Sequence, residues 1–152
     1  MATRARTDVH LLDVNALIAL CWPTHEHHLR MTAWFLRNAK QGWATCAMTQ
    51  SAFIRILLQP AIAGRTLAVS DLAELLLRTT ANVKHKLAKM NFGFADVLPI
   101  CTGGLYGHKQ ITDAWLLATA VQNGMKLLTL DSGITALLAT PAERQSYLRM
   151  PQ

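Results

Sequence analysis

Short apolar runs alternate along this chain with longer amphipathic stretches. Val9-His10-Leu11-Leu12 reads as a buried strand, and the polar pair Asp13 and Asn15 marks its turn into an apolar helix reaching Leu20. Thr24 is placed to cap a helix over residues 25–40, with Leu29, Ala33 and Leu36 among its repeating apolar positions and Gln41-Gly42 to stop it. Residues 43–47 read as a second buried strand, and Thr49 as the cap of a helix from Gln50 to about Leu58, before Pro60. Ser70 precedes a helix over 71–78, whose early acids and late Arg78 suit its dipole. Residues 83–90 alternate too imperfectly to separate strand from helix, and Gly103-Gly104 with Gly107 mark an irregular connection. A helix then begins near Asp113 and closes at Asn123-Gly124, and Lys126 opens a strand leading to Asp131. This alternation predicts an α/β domain on a parallel sheet.

Three aspartates punctuate that pattern, each where a strand ends or a helix begins. A helix of roughly eleven residues advances about 16 Å, and a strand of five or six residues returns about 18 Å. Asp113 and Asp131 are therefore expected at one edge of the sheet. In parallel sheets that carboxyl edge also receives the end of the first strand, with Asp13, and ligands usually bind there. Each acid alone has a plainer reading. Asp13 and Asp113 suit helix caps, and Asp131 before Ser132-Gly133 suits a turn. Taken together they fit one edge, and three carboxylates close together call for a cation.

Composition narrows the partners. The 152 residues, 51% hydrophobic, suffice for a single domain spanning 1–152 with a substantial core. Lys plus Arg outnumber Asp plus Glu by 15 to 9, for a net charge of +6. Three of the nine acids belong to the proposed site, so the remaining surface is more basic still. That balance suits a polyanion such as RNA, although charge alone is equally a solubility device. Apolar stretches are broken well before the roughly 20 residues of a membrane span. The basic residues near the N-terminus lead directly into a strand, so they are not read as a signal peptide, and a cytoplasmic protein is expected. Cys21, Cys46 and Cys101 are odd in number and lack CxxC spacing, which argues for reduced thiols.

Four segments in this order, Leu11-Leu12-Asp13-Val14-Asn15, Thr49-Gln50-Ser51-Ala52-Phe53-Ile54-Arg55, Ile111-Thr112-Asp113-Ala114-Trp115-Leu116 and Thr129-Leu130-Asp131, resemble the PIN-domain family. Its VapC-type toxins are the nearest likeness. His25-Glu26-His27-His28 and Gly107-His108-Lys109-Gln110 extend the resemblance over nearly the whole chain. It implies a PIN-like three-layer fold, with a central, mainly parallel sheet flanked by helices. It further implies an endoribonuclease dependent on Mg2+ or Mn2+, held inactive by a cognate antitoxin and commonly homodimeric. Asp13, Asp113 and Asp131 would hold the metal, which activates water for attack on a phosphodiester. The chain departs at Gln50, where many relatives carry a fourth acid. A site with one charge fewer binds metal more weakly, which keeps open an RNA- or antitoxin-binding module with a weakened site. A DNase of the same fold is a further alternative.

The remaining polar residues divide by chemistry. Asn15 is expected to organise the carboxylates, and Thr129 and Ser132 to tune them by hydrogen bonds or simply to end a strand and make a turn. Arg55, about one turn beyond Gln50, suits the acids or an RNA phosphate through its forked guanidinium, or plain solvent. His108 and Lys109, just ahead of Asp113, are candidates for RNA contact or ordinary loop exposure. His25 and His28 share a helix face but have no third ligand nearby, so a metal pair is disfavoured. Trp22, Trp34, Trp43 and Trp115 are expected in the core or an interface.

Overall fold

A computed structural model describes residues 8–152. The basic segment expected to lead into the first strand lies mostly outside them. Five strands, β1 (His10–Leu12), β2 (Trp43–Thr45), β3 (His85–Leu87), β4 (Lys126–Leu128) and β5 (Leu148–Arg149), form one sheet in the order β3-β2-β1-β4-β5. Every pairing is parallel. The chain winds outward from β1 through β2 to β3, then crosses back to β4 and β5. The junction of β1 and β4 is thus the point where strand order reverses, the place where open α/β sheets form a crevice at their carboxyl ends.

Because strand side chains alternate, each strand feeds two cores. On one face Leu12, Trp43 and Leu128 pack with α1 (Val14–Cys21), α2 (His28–Asn38), α3 (Ala47–Leu57), α4 (Pro60–Ala63) and α5 (Val69–Thr80). On the other, Leu11, Ala44, Leu127 and Leu148 pack with α6 (Phe94–Val97), α7 (Lys109–Gln122) and the segments after β4. Helices thus cover both faces, as a buried parallel sheet requires. A further helix, α8 (Pro141–Tyr147), follows Thr140.

Several boundaries differ from expectation for local reasons. Residues 25–27 form turns and α2 begins at His28. Its buried face is Met31 and Trp34, whereas Leu29 and Leu36 are 83% and 70% exposed. The helix at Thr49 begins at Ala47, and Thr49 sits in its first turn, its hydroxyl accepting from Cys46 N at 2.9 Å. Likewise α5 begins at Val69, with Asp71 Oδ2 accepting from Ala68 N at 3.4 Å. The ambiguous stretch at 83–90 holds edge strand β3. Helix α7 starts one turn before Asp113, at Lys109, and ends as expected before Gly124, whose φ of +68° is costly for any residue with a Cβ. Trp34 and Trp43 are buried in the core, and Trp22 and Trp115 half-buried. All three cysteines are free.

Candidate active site

The acids arrive at the carboxyl edge by three routes. Strand β1 ends at Leu12, and Asp13 follows as the cap of α1, its Oδ1 accepting from Val14 N at 2.6 Å. Capping and site membership are therefore combined in one residue. Strand β4 ends beside β1, and Asp131 caps a short 3-10 turn, its Oδ1 accepting from Gly133 N at 2.8 Å. Asp113 lies in the second turn of α7, so the cap reading does not apply to it. Among the described residues its carboxyl accepts no hydrogen bond.

Thr129 binds the cluster together. Fully buried between the ends of β1 and β4, its hydroxyl donates to Asp13 Oδ2 at 2.8 Å and accepts from Asp131 N at 3.1 Å. The Asn15 amide nitrogen approaches the same hydroxyl at 3.5 Å, and Asn15 Oδ1 accepts from Leu130 N at 3.2 Å. Asn15 thereby ties the start of α1 to the end of β4. Ser132 is exposed and makes no hydrogen bond to the acids.

Electrostatics show that the three carboxyls share one neighbourhood. Burial pushes the Asp113 carboxyl up to about 6, with the charges of Asp13 and Asp131 adding to the rise. Burial also raises Asp13, and Asp131 adds to it, against the hydrogen bonds from Thr129 and Val14 that hold it down. The neighbouring charges thus make Asp13 and Asp113 harder to ionise, a strain that a cation relieves. Among the described residues, no group of three or more His, Cys, Asp or Glu side chains is arranged to hold a metal by itself. Carboxylate oxygens are the donors that hard divalent cations such as Mg2+ take.

The other candidates sit around this cluster. Gln50, on the first turns of α3, donates its amide nitrogen to Thr45 Oγ1 at 2.9 Å, and no hydrogen bond joins it to the acids. The same Thr45 hydroxyl lies 2.8 Å from His85 Nε2, so a chain of polar contacts invisible in the sequence runs from Gln50 to the edge strand. Arg55 is exposed and is not among the groups that set the ionisation of Asp13 or Asp113. His108 and Lys109 are exposed, and Lys109 stands one helical turn from Asp113 on the same face of α7. His25 and His28 serve separate local bonds, His25 Nδ1 with His27 N and His28 Nδ1 with Ala19 O.

No family model matches this chain. Curated relatives do. Ribonuclease VapC38 of Mycobacterium tuberculosis is 37% identical over 143 residues, spanning 91% of this chain and 99% of its own length. The chain belongs to the VapC family. Two more VapC relatives from the same organism agree: Ribonuclease VapC44 is 37% identical, with 91% of this chain and 96% of its own covered. Ribonuclease VapC39 is 33% identical, with 82% and 89% covered. The all-parallel five-stranded sheet with helices on both faces is the PIN-like architecture expected of a VapC toxin.

Proposed function

We propose that residues 1–152 form one nuclease domain that hydrolyses RNA internally, as the toxin of a toxin–antitoxin pair. The observation that carries this reading is the placement of Asp13 and Asp131 after the adjacent strands β1 and β4 at the reversal point of the sheet, with Asp113 raised to about 6 first by burial and then by the charges of both. Asp13, Asp113 and Asp131 would hold Mg2+, or Mn2+, directly or through water. Such a cation, when bound, activates water and offsets charge on the scissile phosphate.

The chain's own residues prepare the site. Thr129 orients Asp13 before any cation arrives, and Asn15 fixes the β4 end against α1. The buried Thr129 hydroxyl donates to Asp13 Oδ2 and holds that carboxylate in place, and water is the nucleophile on this reading. Lys109, His108 and Arg55, all exposed, offer cationic or hydrogen-bonding groups for phosphates along the approach. The partners on this reading are RNA, a cognate antitoxin and a second copy of the chain. Among the described residues no helix is long and apolar enough to cross a membrane.

Gln50 favours a second reading, a weakened site that binds RNA or antitoxin without turnover. Incubating purified protein with RNA, single-stranded DNA and branched DNA, with Mg2+ or chelator, separates the possibilities. Internal cleavage of RNA alone, abolished by chelator, is the expected result. Binding without cleavage supports the weakened module, and cleavage confined to DNA assigns a DNase.

A further inference from the structure

Just ahead of α7 the chain holds an aromatic ring out in solvent. Tyr106 is 87% exposed, about twice the 41% of Phe94. A solitary surface tyrosine needs no explanation, but this one stands on a loop whose backbone is braced from α7. Gln110 Oε1 accepts from Tyr106 N at 2.7 Å and from Gly107 N at 3.2 Å, tying the loop to the first turn of α7. On the other side the ring leans on Gly104. A Cβ at residue 104 would lie 2.7 Å from Tyr106 Oη and 2.9 Å from Cε2 and Cζ, and Gly104 has φ +90°. Glycine suits that backbone conformation, and the exposed ring lies over it.

Ordering a loop in this way costs conformational entropy, and a ring left in water recovers little of it by burial. The arrangement makes sense when something covers the ring. The residues after Tyr106 indicate the chemistry of that cover. His108 and Lys109 are exposed, and Asp113 lies one turn beyond Lys109 on the same helix face. A π-face, two basic side chains and a catalytic carboxylate thus succeed one another from the loop into α7. Single-stranded RNA presents the matching series of unpaired base, phosphates and scissile bond, and proteins take such bases on aromatic rings.

We propose that Tyr106 is a stacking platform for an unpaired base flanking the cleaved phosphodiester. The inference rests on the ribonuclease reading and adds a substrate-binding residue and a preference for unstacked RNA. The test uses a short single-stranded RNA that the wild-type protein cleaves, with Tyr106→Phe, Tyr106→Leu and Tyr106→Ala beside it. Melting temperature checks folding, and sedimentation gives the oligomeric state. Loss of a stacked base should raise KM about 5- to 100-fold in the Ala and Leu variants, with the loss in KM and not kcat, and Phe should restore it. An abasic nucleotide at one flanking position should raise the wild-type KM similarly, yet add little in Tyr106→Ala. Unchanged KM in folded Tyr106→Ala, additive abasic effects at every position, or a loss explained by a changed oligomeric state each overturns the inference while leaving the nuclease intact. A wild-type protein that cleaves no RNA at all overturns the ribonuclease reading, and the inference with it.

Discussion

Replacing Asp113 by Asn should stabilise the metal-free protein while destroying its response to metal. The Asp113 carboxyl rises from 3.8 to about 6, which at about 1.36 kcal/mol per pH unit sets a ceiling near 3 kcal/mol on the cost of ionising it in the fold. The side chain is half-buried, so solvent screening reduces the expected effect to about 1 kcal/mol. A carboxyl raised by folding holds its proton more tightly in the folded state. Its ionisation therefore costs stability as pH rises from about 4 through about 6, and the full cost persists above that. In a domain of this size about 1 kcal/mol moves Tm by about 2–4 °C. Melted in chelator near pH 7.5, Asp113→Asn should exceed wild type by about that margin, and the gap should shrink below about pH 6 and close toward about pH 4, where Asp113 is protonated in the folded and unfolded chain alike. Millimolar Mg2+ should then raise Tm of wild type and leave the variant unmoved. A variant that melts lower in chelator, or gains as much from Mg2+ as wild type, refutes the reasoning.

Thr129→Val removes the hydroxyl that joins Asp13, Asp131 and Asn15, and urea unfolding should show a loss of about 1–3 kcal/mol; unchanged stability would deny Thr129 its organising place. Gln50→Glu adds the missing charge, so the Mg2+ midpoint for cleavage should fall several-fold, and an unmoved midpoint would place Gln50 outside the metal's reach. His10 is depressed from 6.5 to about 4, first by burial, and packs edge-on against Trp34 with centroids 4.9 Å apart. A depressed histidine contributes stability that is whole above about 6.5 and lost toward about 4, up to about 3 kcal/mol. The melting temperature of wild type relative to His10→Phe should accordingly rise as pH increases from about 4 to about 6.5, a difference in which the opposing Asp113 contribution cancels; parallel pH profiles would contradict the assignment.

What could be read in advance followed the strength of local patterns. The β1–α1 junction was legible because Val9, Leu11 and Leu12 lead into a capping acid at Asp13. The start of α7 was hidden because its first turn, Lys109-Gln110-Ile111-Thr112, is polar or exposed and mimics the loop before it. Strand β3 escaped assignment because edge position leaves Lys86 and Leu87 exposed, so no apolar run announces it. Strand β5 has only two residues, and its parallel partner β4 supplies most of its definition. Helix α8 did carry a signal, since Thr140 and Glu143 form a capping box around Pro141. On α2 the apolar repeat of Leu29 and Leu36 misled, because Met31 and Trp34 fill the core and the repeat faces solvent.

The site followed the same rule. Asp13, Asp113 and Asp131 could be gathered from spacing because rise per residue is fixed for helices and strands. The bond from Gln50 to Thr45, with His85 on the same hydroxyl, could not, because it depends on the β2–β3 pairing. The loop conformation that presents Tyr106 depends on the φ of Gly104 and the rotamer of Gln110, neither of which has a sequence signature beyond the residues themselves.

On the proposed function, the three-aspartate edge cleaves RNA with a divalent cation. The most direct test is cleavage of a mixed structured-RNA pool by wild-type protein and by identically purified Asp113→Asn, in chelator and after adding back Mg2+ or Mn2+. Wild type should cleave internally, with chelator abolishing and metal restoring the cleavage, and the folded Asp113→Asn should be inactive throughout. Equal cleavage by both proteins, or cleavage indifferent to chelator, would contradict the proposed function.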